Sequence, residues 1–156
     1  MKSIRIVLAT LVTLALPALA QESATSNMEI LRDKIKADKK ALVAEAMELS
    51  DAEGKTFWPV YDAYQKDLQK INDRLKTTIK AYADAYNKGP IPNETAKKLI
   101  NDAVAIDESE VALKRSYLPK LEKVLPYGKV ARYVQIENKI RALLKYELAS
   151  EIPLAE

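Results

Sequence analysis

From Phe57 onward, apolar or small residues recur at steps of three and four: Phe57, Tyr61, Tyr64, Leu68, Ile71, Leu75, Thr78, Tyr82 and Ala85. That spacing holds them on one side of an α-helix and predicts a long amphipathic element packed lengthwise on another. The stretch NKGPIP, Asn87 to Pro92, ends it, because Gly89 suits a left-handed backbone and two prolines block continuation. Asn93 is the expected cap of a further helix reaching about Val124, with a stripe at Leu99, Ala103, Ile106, Leu113, Tyr117 and Val124. Upstream, Ser26 or Asn27 caps a first helix whose stripe is Leu31, Ile35, Leu42, Ala46 and Leu49, interrupted by the charge of Asp38. It ends at Ser50, where SDAE spells a capping box and starts the long helix. A fourth helix follows LPYGK, Leu125 to Lys129, with Val130, Tyr133, Val134, Ile140, Leu143, Leu144 and Leu148 inward.

The fold class is therefore all-α: an extended antiparallel hairpin of the second and third helices, with shorter first and fourth helices packed on it. At about 1.5 Å per residue the second helix spans ~55 Å. A turn centred on Gly89 to Pro92 makes facing residue numbers in the hairpin sum to about 181. Phe57 then meets Val124, Tyr64 meets Tyr117, Leu68 meets Leu113, Leu75 meets Ile106 and Tyr82 meets Leu99. The exception is Ile71, which meets Glu110, expected as a snorkelling edge residue paired with Lys70 or Arg74. The third helix has a second stripe, Ile100, Val104, Val111, Leu118 and Leu125, which calls for cover by the terminal helices or by a second copy.

Two prolines fall inside these helices. Pro59 follows Phe57 and Trp58, and the register puts it near residue 122, one turn from Pro119. An interior proline removes a hydrogen bond and is the commonest cause of a sharp bend. Paired at one height, Pro59 and Pro119 predict a hairpin bent as a unit around Phe57, Trp58, Tyr61, Tyr64, Tyr117 and Leu118, the expected protein-binding residues.

Composition changes the picture at the N-terminus. Lys2 and Arg5, the 11-residue apolar run Ile6 to Leu16 and the small residues Ala18 and Ala20 form a secretory signal pattern, cleaved after Ala20. The alternative, an uncleaved anchor, asks the run to cross a bilayer core that needs about 20 residues. Expected boundaries are a signal peptide at 1–20, a disordered tail at 21–26, one helical domain at 27–150 and a short tail at 151–156. Loss of the two leader charges takes the formal net charge from +3 to +1. A nearly neutral mature chain with interspersed charges argues against nucleic-acid binding, and no later run is apolar enough to span a membrane.

Histidine and cysteine are both absent, which removes most nucleophile and general-base arrangements and most zinc, copper or haem sites. No cofactor and no catalytic residues are expected. The DESE cluster, Asp107 to Glu110, offers oxygen ligands for a hard cation, against the plainer reading of a solvated helix face.

The helix starts LSDAE, Leu49 to Glu53, and LPYGK, Leu125 to Lys129, together with export and four helices, resemble the LTxxQ group of periplasmic proteins, which includes the Spy and CpxP chaperone and stress-response proteins. Glu53 stands where that motif has glutamine, Pro126 replaces the capping hydroxyl, and Lys129 departs from it. The resemblance implies a bent helical homodimer in the periplasm that binds unfolded or partner proteins without nucleotide, on an apolar and aromatic surface rimmed here by Lys55, Lys66, Lys120 and Lys123. A secreted location is the alternative compartment. The competing functional class is a structural or adaptor protein whose apolar faces are consumed by its own dimer or by one dedicated partner.

Overall fold

A computed structural model of the chain describes residues 38–155. The expected leader, the polar tail and the first half of the first helix lie outside the described residues, as does Glu156. Those described form four helices and no strand. They are α1 (38–47), α2 (Asp51–Tyr86), α3 (Asn93–Glu122) and α4 (Tyr127–Glu151).

The expected hairpin is present, with α2 and α3 packed along their length. Its register is fixed where Tyr64 and Tyr117 meet edge to face, ring centroids 5.3 Å apart. Gly89 takes a positive φ of 115° in the turn, a conformation that costs glycine little. The start of α2 is the expected capping box. The Glu53 amide donates to Ser50 Oγ at 3.3 Å, and the Ser50 amide donates to Glu53 Oε2 at 2.9 Å.

The other two helix starts differ from expectation. Asn93 is the first residue of α3 and not its cap; Pro92 caps it at φ −59° and ψ 141°. α4 begins at Tyr127, so PYGK supplies its cap and first turn, with Pro126 at φ −59° and ψ 147°. In both, the fixed proline φ aims the chain into the helix, and the proline carbonyl accepts the first bonds, from Ala96 at 2.9 Å and from Val130 at 3.0 Å.

α4 lies along the hairpin in two registers. It runs parallel to α2, with Gln65 on Glu137, Asn72 on Arg141 and Tyr82 on Pro153. It runs antiparallel to α3, with Lys114 on Asn138 and Asp107 on Lys145. α1 is antiparallel to both α2 and α4, through Lys40 to Asp62, Lys39 to Glu137 and, just past its end, Glu48 to Arg132. Its buried side is centred on Val43 and Met47, both fully enclosed, while Leu42, Ala46 and Leu49 of the expected stripe are half-buried. The helix is thus rotated from the sequence reading, because two neighbours and not one must be covered.

The core sits at the end of the hairpin distant from its turn. Phe57, Tyr61, Tyr64 and Tyr133 form one edge-to-face group, with Phe57 and Tyr133 centroids 5.1 Å apart. Beside it is a buried polar knot. Glu137, 6% exposed, accepts from Lys39 Nζ at 2.9 Å and from Gln65 Nε2 at 2.8 Å, joining α1, α2 and α4. Replacing Glu137 by Ala removes the carboxylate that balances Lys39 and leaves that ammonium only the Gln65 amide oxygen, at 2.8 Å, and should cost about 2–4 kcal/mol in urea unfolding. A loss under 1 kcal/mol would show that the knot contributes little.

The elbow between α1 and α2 carries an unexpected strain: Glu48 has φ 48°. The first turns of α4 hold it there. Lys129 Nζ donates to the Glu48 carbonyl at 3.1 Å and to Glu53 Oε2 at 2.7 Å, and Arg132 pairs with the Glu48 carboxylate at 3.0 Å. Lys129 first, and then the Ser50 amide and hydroxyl, pull the Glu53 carboxyl down to about 2. A carboxyl depressed in the fold favours the fold above its ordinary pKa and loses that advantage as pH falls towards 2. Wild type should therefore exceed Glu53→Gln in Tm at pH 6, and the gap should shrink on acidification towards pH 2. A gap independent of pH would exclude the charge as its source.

Candidate protein-binding surface

The six expected binding residues come together, but mostly inside. Phe57, Tyr61, Tyr64 and Tyr117 are buried, and only Trp58 and Leu118 are half-exposed. Covering them are α1 and α4, whose Val43, Met47, Val130 and Tyr133 complete the same core. Lys40 lies 5.3 Å from the Trp58 ring centroid, and Lys120 lies 3.9 Å from that of Tyr117. These lysines cap the aromatic edges from solvent, a favourable cation-to-ring arrangement.

Burial also sets the chemistry of the tyrosines. It pushes Tyr64 up to about 12, with Glu137 adding to it, and raises Tyr61 and Tyr133 further. Tyr117 rises to about 12 through burial and its 2.7 Å bond to Asp67. All four stay protonated near neutral pH and act as packing groups and donors.

Pro59 and Pro119 lie within unbroken helices, and both are exposed. The carbonyls they orphan belong to Lys55 and Arg115, both exposed residues, so each proline costs less than one in a buried wall. A hydroxyl sits three residues before each: Thr56 bonds the Glu53 carbonyl at 3.1 Å and Ser116 the Leu113 carbonyl at 2.8 Å. Such back-bonding favours local helix bending.

Two of the DESE carboxylates, Asp107 and Glu110, are taken up by α4. Asp107 pairs with Lys145 at 2.7 Å, and Glu110 pairs with Arg141 and not with Lys70 or Arg74. Lys70 goes to Asp67 and Arg74 to Ser109. Arg141 also donates to Asn72 at 3.0 Å, so the carboxylate that faces Ile71 across the hairpin seam belongs to a three-helix contact. Among the described residues no group of three or more His, Cys, Asp or Glu is placed to hold a metal ion, and no helix is long and apolar enough to cross a membrane.

The uncovered apolar surface is elsewhere. Ile100, Val104 and Val111 of the second α3 stripe are more than half exposed, whereas Leu125 at its far end is buried. Next to Ile100, the outer half of α4 stands off the hairpin around a cleft of about 510 Å³. Leu75, Ile79 and Tyr82 form its floor, Leu99, Ala103 and Ile106 one wall, and Leu148 and Ile152 the other. Along its rim the Asp107 and Lys145 charges neutralise each other. Periodicity marked the stripe in advance, but the cleft exists only where α4 brings Leu148 and Ile152 opposite α3.

Comparison with protein-family models, with curated proteins and with solved structures returns no match.

These placements predict opposite consequences for two kinds of substitution. Phe57→Ala should cost about 3–5 kcal/mol as a core truncation. Val104→Ser should stay within about 0.5 kcal/mol, as an exposed change. Comparable losses in chemical denaturation would mean that the α3 stripe is covered in solution.

Proposed function

We propose that this chain is an exported, non-enzymatic helical protein of the periplasm, chaperone-like, which holds apolar segments of unfolded proteins without nucleotide. The observation that carries the reading is the cleft between α3 and α4, continuous with exposed Ile100 and beside Val104. A contiguous apolar surface of this kind, bordered by charges that pair among themselves, accepts apolar side chains with little demand on their sequence. Export rests on the pattern of residues 1–20, and kinship with the LTxxQ group on LSDAE and LPYGK. Support for treating those two stretches together comes from the Lys129 to Glu53 ion pair, which joins them at one end of the molecule. The aromatic cluster serves this reading as the rigid base and not as the contact surface.

A second reading, self-association, is favoured by the charges around Val111. Glu108 precedes it and Arg115 follows it on the same exposed side of α3, so an antiparallel second copy would set opposite charges face to face.

The deciding measurement is light scattering of a thermally unfolding client at severalfold molar excess of this protein, without ATP. Wild type should suppress aggregation, and the Ile100→Asp/Val104→Asp double variant should lose most of that effect while keeping its Tm. Absence of protection by wild type would overturn the chaperone reading. A dimer in multi-angle scattering that Val111→Asp converts to monomer, without any client effect, would establish the second.

A further inference from the structure

α4 gives way to extended chain at Ile152, which takes φ −89° and ψ 116° while its amide still donates to the Leu148 carbonyl at 3.0 Å. Pro153 is the cause, because the residue before a proline is pushed out of the helical region and the proline itself has no amide hydrogen to continue the ladder. The chain then crosses towards α2. There the Tyr82 hydroxyl donates to the Pro153 carbonyl at 2.8 Å, across 71 positions of sequence. The Tyr82 ring is itself stacked on Tyr86, with centroids 6.0 Å apart and planes 24° from parallel, which steadies the donor. Ile152 and Ala155 both line the α3–α4 cleft of about 510 Å³, whereas Leu154 between them is 88% exposed.

We propose that residues 152–155 are a built-in occupant of one end of this cleft, a strap that an incoming apolar segment must displace. The proposal rests on reading the cleft as the client-binding surface and adds the regulation of that surface. The strap has the chemistry that an apolar cleft selects: it is extended at Ile152, and Ile152, Pro153, Leu154 and Ala155 are all apolar and uncharged. It is also built to let go. Its bond to Tyr82 lies at the surface, where water can replace the partner at little net cost. Leu154 stays in solvent, so docking buries only part of the apolar surface of the strap. Undocking leaves Phe57, Tyr61, Tyr64 and Tyr133 untouched, because that core lies at the other end of the hairpin. A strap docked in most molecules weakens apparent binding at the cleft in proportion to the fraction of molecules left open.

The test is a fluorescence titration of the full-length protein with N-phenyl-1-naphthylamine, an apolar probe without charge. Tyr82→Phe removes the bond to the strap and keeps the ring, whereas Ile152→Asn/Ala155→Asn makes the strap too polar for the cleft without changing net charge. Probe affinity should rise about two- to tenfold in the Asn double variant, with Tyr82→Phe between it and wild type. Both variants should keep a Tm within a few degrees of wild type. Unchanged or weaker probe binding by the Asn double variant would overturn the proposal, since residues 152–155 would then be a wall of the cleft and not its occupant. A gain there that Tyr82→Phe does not share would overturn it as well. Protection of an unfolding client is a separate readout: tighter probe binding in both variants, with no protection by either of them or by wild type, supports the strap and removes the client-binding reading.

Discussion

The structure depends on seating α4 along a hairpin that cannot bury both of its sides alone. Two helices of about 54 and 45 Å share one seam and leave the rest of each surface open to water. α4 closes part of that surface because it satisfies two registers at once, parallel to α2 and antiparallel to α3. Tyr133 sets the apolar end of this seating, among Phe57, Tyr61 and Tyr64. Glu137 and Arg141 set its middle, each bonded to α2 and to one further helix, α1 for Glu137 and α3 for Arg141.

Much of this arrangement is legible in the sequence, for a physical reason. Facing stripes in an antiparallel pair must keep a constant sum of residue numbers, so one turn, NKGPIP, is enough to align Tyr64 with Tyr117. The partner of Glu110 is not legible in the same way. Arg141 is 31 residues away on a third helix, and nothing in the pairing of two helices specifies where a third one lies. The same limit explains the aromatic residues. Their clustering follows from spacing and register, but their burial follows from Val43, Met47 and Tyr133, which arrive from two other elements. Glu48 is the least legible feature, since its positive φ is imposed by Lys129 and Arg132 from more than 80 positions downstream.

Both prolines sit on exposed faces and spare the seam. A helix facing water on one side can lose a hydrogen bond there at small cost, and it curves convex towards solvent in any case. Their positions thus fit a gently shaped hairpin whose inner contacts are uninterrupted, and the paired hydroxyls of Thr56 and Ser116 act in the same sense.

The packing is polarised along the long axis, and this decides where binding is physically inexpensive. At the elbow end, Val43, Met47, Phe57 and Tyr133 are enclosed and α1, α2 and α4 are cross-linked by the Lys39 to Glu137, Lys40 to Asp62 and Lys129 to Glu53 ion pairs. Towards the hairpin turn, α4 is held by the Asp107 to Lys145 pair and by the Tyr82 hydroxyl on the Pro153 carbonyl. An exposed ion pair contributes less than about 1 kcal/mol, far below the burial of a large aromatic side chain. The polar contacts described for the outer half of α4 are therefore weaker than the packing at the elbow end. A surface that must accept varied apolar segments needs such an end, because widening the cleft there disturbs exposed polar contacts such as the Asp107 to Lys145 pair and leaves the aromatic core intact. Binding at the buried aromatic cluster would instead require stripping α1 and α4 from it, which forfeits most of the stability of the fold.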